Sequence, residues 1–208
     1  MNKIMNDYNE WAFQYDNNIN LTRDLDKIVT KKSLVNYNFS YVLELGCGSG
    51  KNTEWLITRA KKLVGLDFSK SMLDIARKKI ISQKATFIET DLNKKWEISN
   101  NSFDIATVNL TLEHIDILDH IFSSLFMKLT RGGKCFVCEI HPKKQLTGSK
   151  ARFEINRTEI ILDVFQHREE DYIQSAEKAG FKLLTKKDWY DNENDIPRLI
   201  SFLFEKPK

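Results

Sequence analysis

The sequence has few cysteines, no long apolar run and no concentration of charge of one sign. Its three cysteines, Cys47, Cys135 and Cys138, are typical of a protein from a reducing compartment. The longest apolar stretches have the length of a β-strand, which is far too short to span a bilayer. Residues 1–10 are polar, whereas a signal peptide has an apolar core. We therefore expect a cytoplasmic protein without a membrane segment.

Charge is balanced along the chain. There are 32 Lys and Arg residues against 29 Asp and Glu residues, a net charge of +3, and the two signs are interleaved. Because nucleic-acid surfaces need clustered basic residues, a nucleic-acid partner is not expected. The 41% hydrophobic and 29% charged content is that of a globular protein. A chain of 208 residues forms one well-buried domain, so we expect a single domain, residues 1–208.

Short β-rich segments alternate with helical segments from residue 41 onward. The predicted strands are Tyr41–Leu45, Leu63–Asp67, Ala85–Thr90, Phe103–Leu110 and Lys134–His141. The predicted helices between them are Asn52–Lys61, Lys70–Ser82 and Asp116–Leu129. This alternation predicts an α/β fold with a doubly wound, mostly parallel sheet over residues 41–141. Ligands bind such sheets at the carboxyl ends of the strands, where the strand order reverses.

The segments on either side of this core have different patterns. Residues 1–38 predict two helices, of which the first is rich in aromatic residues and forms either a lid over a ligand or a hydrophobic staple. Residues 142–208 begin with a polar stretch. We expect this stretch on the side of the ligand site where a second substrate, the acceptor, would bind. They continue with a predicted helix, Glu169–Ala179, and two closing strands, Phe181–Trp189 and Leu199–Phe204. The short connection between these strands can join them only as antiparallel neighbours or across a sheet edge.

Residues 42–50 read VLELGCGSG, an apolar run that ends in three alternating glycines. Gly46, Gly48 and Gly50 allow the backbone to turn sharply and to lie against a flat ligand. Their G-x-G-x-G spacing differs from the G-x-G-x-x-G that seats the pyrophosphate of a dinucleotide. The loop therefore predicts a nucleotide-like cofactor and disfavours a nicotinamide-dependent oxidoreductase.

Two aspartates follow the next two predicted strands. Asp67 lies 21 residues after Gly46, the spacing of an acid that accepts hydrogen bonds from ribose hydroxyls. The alternative is that Asp67 caps the helix that begins at Lys70. Asp91 can accept a hydrogen bond from an adenine amine, or it can simply form a turn.

Together these residues resemble the class I S-adenosylmethionine-dependent methyltransferases, in particular those that act on small molecules. The resemblance covers Tyr41–His141 and includes Gly132-Gly133, which we expect to end a helix before the fifth strand. It implies a Rossmann-like, seven-stranded sheet, mostly parallel with an antiparallel C-terminal strand, and S-adenosylmethionine as cofactor. The residues that it places around the cofactor are Glu44, Gly46, Cys47, Gly48, Asp67, Phe68, Met72, Asp91, Leu92 and Asn109.

Methyl transfer from a sulfonium depends mainly on positioning in a dry pocket, and a catalytic base is needed only if the acceptor must lose a proton. The candidate bases are His114, after strand four, and His141, after strand five, although His114 could equally be a packing residue. We expect His141 to face the same crevice as His114. The side chains expected to bind the acceptor are Tyr8, Tyr15, Glu113 and Glu139.

Cys135 and Cys138 form a C-x-x-C pair, which could suggest a metal or redox site. Their odd separation on a strand points the two side chains to opposite faces, so no metal is predicted. The favoured function is methylation of a nitrogen, oxygen or sulfur of a small molecule by a monomer or homodimer. Methylation of protein or RNA, or a non-catalytic binding module, remains the alternative.

Overall fold

The computed structural model describes residues 2–16, 19–148, 152–155, 158–191 and 195–208. Its helices are α1 (Asn2–Tyr15), α2 (Leu21–Leu34), α3 (Thr53–Arg59), α4 (Lys70–Lys79), α5 (Leu118–Lys128), α6 (Pro142–Leu146) and α7 (Glu169–Lys178). Its strands are β1 (Tyr41–Leu45), β2 (Lys62–Asp67), β3 (Ala85–Glu89), β4 (Phe103–Asn109), β5 (Leu129–Ile140), β6 (Arg152–Ile155), β7 (Thr158–Ile161), β8 (Lys182–Trp189) and β9 (Leu199–Glu205). A single 3₁₀ turn, Leu112–His114, follows β4.

Seven strands form one sheet in the order β3-β2-β1-β4-β5-β9-β8. Strands β1 to β5 pair in parallel, and β9 pairs antiparallel with both β5 and β8. This confirms the predicted mostly parallel, doubly wound sheet with an antiparallel C-terminal strand. The strand order reverses between β1 and β4, so the loops after these two strands border a crevice. Strands β6 and β7 form a separate hairpin.

Both faces of the sheet are buried, because successive residues of the central strands point to opposite faces and are apolar on both. One core cluster contains Leu43 and Phe202, and the other contains Val42 and Phe136. Cys135 belongs to the first cluster and Cys138 to the second, as their odd spacing predicts. Both are free thiols whose pKa is raised by burial. Two thiols on opposite faces of a sheet cannot bind one metal.

The structure corrects the prediction for Gly132-Gly133. Strand β5 begins at Leu129, which pairs with Phe103, so the glycines lie inside the strand and not at the end of a helix. Gly132 has a φ of +76°, and a Cβ on Gly133 would lie 2.8 Å from the carbonyl oxygen of Thr130. The glycines permit an irregular backbone conformation in the strand, in which a residue with a side chain would be strained.

The N-terminal helices pack on the rest of the chain in two places. Ile4 and Trp11 of α1 form a small cluster with Leu162, which follows the hairpin, while Val29 and Leu34 of α2 join the second core cluster. Aromatic residues on α1 are therefore partly covered by the hairpin region. Among the described residues, no helix has the length and apolar character that crossing a bilayer requires.

Candidate active site

A cavity that is partly open to solvent lies at the carboxyl ends of β1, β2 and β4. Helices α1 and α2 supply one of its sides. The structure brings Tyr8, Tyr15 and His114 together there with all ten residues that the resemblance places around the cofactor. Those ten are Glu44, Gly46, Cys47, Gly48, Asp67, Phe68, Met72, Asp91, Leu92 and Asn109.

The glycine loop turns directly after β1. Gly46, Gly48 and Gly50 all have positive φ, which side chains disfavour. A Cβ on Gly46 would lie 2.0 Å from Oγ1 of Thr111, so a larger residue would collide with the segment after β4. A Cβ on Gly48 would meet nothing within 4 Å. The backbone at Gly48 is therefore open for close approach by a ligand.

Asp67 ends β2 and is buried. Its Oδ2 accepts a hydrogen bond from the backbone N–H of Gly48 at 2.8 Å, and its Oδ1 accepts one from that of Ser69 at 2.8 Å. Ser69, not Asp67, caps α4, because its side chain accepts from the N–H of Met72. Burial raises the pKa of Asp67 to about 6. Each carboxylate oxygen retains a lone pair that can accept from a hydroxyl.

A mixed apolar and polar surface borders the cavity beyond Asp67. Phe68 and Met72 supply apolar atoms, and Leu92 lies beside them. Asp91 accepts a hydrogen bond from the N–H of Asn93 at 3.0 Å, which is turn chemistry, while also lining the cavity. The two functions that the sequence suggested for Asp91 are thus geometrically compatible.

Buried acids lie at the opposite end of the cavity. Asp26 of α2 accepts hydrogen bonds from Nδ2 of Asn52 at 2.7 Å and Nδ2 of Asn109 at 2.6 Å. Glu44 accepts from Oγ1 of Thr53 at 2.5 Å, and burial raises its pKa to about 8. Oδ1 of Asn109 is buried and has no hydrogen-bond partner among the described residues. This end of the cavity therefore offers acceptors for a positively charged group.

Arg23 of α2 is the buried cation of this region. Its guanidinium lies 3.9 Å from the centre of the Tyr15 ring and donates to the Tyr15 carbonyl oxygen at 2.6 Å. Sequence analysis missed both Arg23 and Asp26. Charged residues in an amphipathic helix look like a solvated face, so no local signal distinguishes them.

Tyr8 and His114 form a hydrogen bond across the cavity, with 2.9 Å between the Tyr8 oxygen and Nε2 of His114. Nδ1 of His114 lies 3.3 Å from the carbonyl oxygen of Asp163, which can only accept. The neutral ring therefore carries its proton on Nδ1, and the Tyr8 hydroxyl donates to Nε2. Burial lowers the pKa of His114 to about 4.

Helix α1 is attached beside the cavity by polar contacts as well. Oδ1 of Asn9 accepts from Oγ of Ser69 at 2.7 Å and from the N–H of Ser71 at 3.2 Å. Oδ1 of Asp16 accepts from Oγ of Ser49 at 2.6 Å. These bonds join α1 to the glycine loop and to the start of α4.

The structure corrects the expectation that His141 and Glu139 face this crevice. Oε1 of Glu139 accepts from the N–H groups of Thr111 and Leu112, at 2.9 and 3.0 Å, and so supports the turn after β4 from behind. This turn includes Leu110, whose φ of +49° is unusual for a residue with a side chain. Glu139 thus positions the backbone of the site without lining the cavity.

His141 is buried beside Glu169 and Asp188, at the edge of the sheet formed by β8. Its Nε2 lies 3.4 Å from Glu169 Oε1 and 3.6 Å from Asp188 Oδ1, an arrangement with the composition of a metal site. However, Nδ1 accepts a hydrogen bond from the N–H of Lys143. The ring proton therefore lies on Nε2, where a metal would need a lone pair. The three side chains are therefore arranged as a protonated Nε2 of His141 that faces the carboxylates of Glu169 and Asp188.

Comparison with known families agrees with this geometry. Residues 43–137 match the family model described as a methyltransferase domain. This match spans the glycine loop, Asp67, Asp91 and the 3₁₀ turn. Residues 43–137 are therefore a methyltransferase domain, and the fold and the glycine loop agree with the predicted resemblance to the class I S-adenosylmethionine-dependent methyltransferases.

Curated relatives of this chain are distant. It is 25% identical over 157 residues to a ubiquinone biosynthesis O-methyltransferase from Nitrosococcus oceani, an alignment that covers 74% of this chain and 64% of the relative. It is 34% identical over 95 residues to a trans-aconitate 2-methyltransferase from Yersinia pestis, covering 45% of this chain and 35% of the relative. The chain thus spans less than two thirds of the length of these relatives.

Solved structures show the same fold. A methyltransferase from Clostridium acetobutylicum superposes with a TM-score of 0.74 at 21% identity, covering 97% of this chain and 99% of the other. The N-methyltransferase NodS from Bradyrhizobium japonicum, solved with S-adenosyl-l-homocysteine, gives a TM-score of 0.69 at 16% identity, covering 89% and 87%.

Replacing Asp67 by Asn should weaken the binding of S-adenosylmethionine by roughly 10- to 100-fold, since a charged acceptor is lost and an NH₂ group faces a backbone N–H. Calorimetric titration measures the affinity, and thermal unfolding checks that the variant folds. Asp74→Asn, on the exposed side of α4, is the matched control and should bind normally. Unchanged affinity in Asp67→Asn would contradict this position for the cofactor.

The raised pKa of Glu44 predicts how stability depends on pH. Its pKa is about 8 in the folded chain against 4.5 for an ordinary Glu, so the folded state binds the proton more tightly. Stability from this group is complete below about pH 4.5 and is lost as the pH rises through about 8. The free energy of unfolding of wild type should therefore fall between about pH 5 and pH 8. In Glu44→Gln this fall should be smaller, by up to a few kcal/mol.

Urea unfolding at several pH values measures this difference, with Glu54→Gln on the exposed face of α3 as control. If plots of unfolding free energy against pH were parallel for wild type and Glu44→Gln, Glu44 would be ionised in the folded protein.

Proposed function

We propose that this protein transfers a methyl group from S-adenosylmethionine to a nitrogen, oxygen or sulfur atom of a small-molecule acceptor. The observation that carries the proposal is the cavity at the sheet's reversal point. It is lined by Asp67 and the glycine loop and also by His114 and the tyrosines of α1.

The cofactor's nucleoside occupies the end of the cavity near Asp67 in this proposal. The Asp67 carboxylate accepts from the ribose hydroxyls, and Gly48 lets the backbone approach the ligand. Phe68 and Met72 flank the adenine, with Asp91 and Leu92 at its edge. The support for this placement is that these side chains line one continuous surface.

The methionine portion occupies the end with the buried acids. Asn109 has an unsatisfied buried oxygen that can accept from the ammonium group. Asp26 adds carboxyl oxygens that can accept hydrogen bonds from the ammonium group. Arg23 supplies the positive charge that a carboxylate group needs.

Bound S-adenosylmethionine supplies an electrophilic methyl group with an activated leaving group. The protein's contribution is then to position the acceptor and exclude water. Helix α1 acts as a lid, because its Asn9 and Asp16 hold it beside the cavity while Tyr8 and Tyr15 project into it. His114 positions Tyr8 and is a poor base at neutral pH, because its pKa is low.

Two observations favour a small acceptor over protein or RNA. The site is bordered by α1 and adjoins a second, partly enclosed cavity. The curated relatives carry the names of enzymes of ubiquinone biosynthesis and of trans-aconitate methylation. Both features suit a compact molecule that is surrounded when it reacts.

Calorimetry with S-adenosylmethionine and its demethylated product tests the cofactor, and turnover with a panel of small molecules, peptides and RNA tests the acceptor. The proposal predicts binding of both cofactor forms and methylation of a small molecule. Absence of binding by either form would sink it. Binding without any turnover would favour the non-catalytic module.

Changing His114 to Ala should raise the KM for the acceptor and leave kcat within about tenfold of wild type, because the histidine positions Tyr8. Loss of an obligate base would instead lower kcat by roughly 10²–10⁴-fold. Steady-state kinetics at saturating S-adenosylmethionine separates these results. A loss of that size in kcat, with unchanged KM, would show that His114 is the base.

Changing Asn9 to Ala should loosen the lid, because two hydrogen bonds to the start of α4 are lost. We expect S-adenosylhomocysteine to dissociate roughly 5- to 30-fold faster, measured by stopped-flow displacement. Lys3→Ala, at an exposed position of α1, is the control and should dissociate at the wild-type rate. Equal rates for all three proteins would contradict a lid function for α1.

A further inference from the structure

A second cavity adjoins the cavity at the ends of β1, β2 and β4. The two share Tyr8, Tyr15, Arg23 and Leu110, so a molecule in one can contact a molecule in the other. The second cavity is also bordered by Glu113 of the 3₁₀ turn.

Glu113 is a buried carboxyl at this cavity. Its side chain is only 3% exposed, and its Oε2 has no hydrogen-bond partner among the described residues. Gln145 donates a hydrogen bond to the same carboxyl group, and Oε1 lies 3.9 Å from Nε2 of His114. A buried oxygen left without a partner is costly unless a ligand supplies a donor.

Two guanidinium groups also border this cavity. Arg23 donates to the Tyr15 carbonyl, and the exposed Arg152 donates to the carbonyl of Gly148 at 3.0 Å. Glu113 is the acidic residue of the cavity lining, and its buried Oε2 is the carboxyl oxygen that lacks a hydrogen-bond partner among the described residues.

We infer that the acceptor is a primary or secondary amine and that Glu113 binds it and takes its proton. This inference rests on the proposed function and assigns its acceptor atom. An amine arrives as a cation, which a buried carboxylate attracts, whereas carboxylate and thiolate acceptors arrive as anions, which it repels. An aliphatic alcohol is too weak an acid to transfer its proton to a carboxylate.

The walls of the cavity are partly aromatic. The ring of Tyr8 lies 5.6 Å from that of Trp11, and the ring of Tyr15 lies 4.8 Å from that of Trp11, measured between centres. A flat aromatic amine can pack its ring against such walls.

The reaction step then balances. An ammonium proton passes to the Glu113 carboxylate, which leaves a neutral amine with a free lone pair. That lone pair forms the new N–C bond with the methyl carbon, the C–S bond breaks, and its electron pair remains on sulfur. The methylated nitrogen carries the positive charge, and Glu113 releases its proton to solvent before the next turnover.

The electrostatics of Glu113 suit this exchange. Burial raises the pKa of Glu113 to about 7, closer to that of an amine than an ordinary carboxyl would be. A proton acceptor works best when its pKa lies near the working pH. By comparison, His114 with a pKa of about 4 binds a proton weakly at neutral pH.

The test uses matched probes that differ in one group: 2-phenylethylamine and tryptamine, against 2-phenylethanol, 2-phenylethanethiol and 3-phenylpropionate. Methylated product is measured by mass spectrometry, and binding of each probe to the S-adenosylhomocysteine complex is measured by calorimetry. We expect methylation of an amine and no methylation of the corresponding alcohol, thiol or acid.

Glu113→Gln keeps the size of the side chain, and we expect it to bind the amine roughly 10- to 100-fold more weakly and to turn it over at least 100-fold more slowly. Its affinity for S-adenosylhomocysteine should not change, which also shows that it folds. Glu113→Asp should recover part of the lost binding. Glu97→Gln, at an exposed position, should match wild type.

Three results would overturn the inference while S-adenosylhomocysteine still binds: no amine is methylated, an oxygen or sulfur probe is methylated in preference to the amines, or Glu113→Gln handles amines like wild type. Failure of the cofactor to bind at all would be a different result, because it would contradict the proposed function itself.

Discussion

The two hydrogen bonds that Asp67 accepts from backbone N–H groups organise the whole site. They connect three elements that the topology merely brings near one another: the loop after β1, the end of β2 and the start of α4. The glycine loop also has the bond from the N–H of Cys47 to the carbonyl of Leu66. With the neighbouring residues Cys47 and Gly48 both hydrogen-bonded to the end of β2, the start of the glycine loop is held in one conformation, which a pre-formed ligand site requires.

A concentration of buried acids is the second constraint. Asp26, Glu44, Asp67 and Glu113 are all buried around the two cavities, and burial raises the pKa of each. Buried carboxyls are expensive without partners, so a folded chain selected for stability alone would avoid such a concentration. A ligand with two positive charges, joined by a cationic acceptor, provides the missing partners. The electrostatics of the site therefore fit the bound state better than the empty one.

Some of the site could be predicted from the sequence because its signals are local. The glycine spacing, Asp67 and the alternation of strands and helices are short-range patterns whose geometry is fixed by the backbone, and the predicted sheet is confirmed. His141 and Glu139 were misplaced because their surroundings depend on β8 and on the turn after β4, which no local pattern specifies. Arg23 was missed because a charged residue in an amphipathic helix has no local feature that reveals burial. Gly132-Gly133 was assigned to a helix end because glycines are typical both of helix ends and of strand irregularities, and the sequence does not distinguish the two.

Helix α1 makes recognition of cofactor and acceptor parts of one event. Tyr8 and Tyr15 line both cavities, so neither cavity has its full wall unless α1 is in position. Asn9 and Asp16 bind α1 to Ser69 and Ser49, which flank the region proposed for the nucleoside. A cofactor that orders the glycine loop and the start of α4 would therefore stabilise the surface on which α1 sits. Since the same helix carries Tyr8 to His114, the acceptor cavity is completed by the contacts that close the cofactor cavity, and an acceptor that binds afterwards meets a site from which water is already excluded.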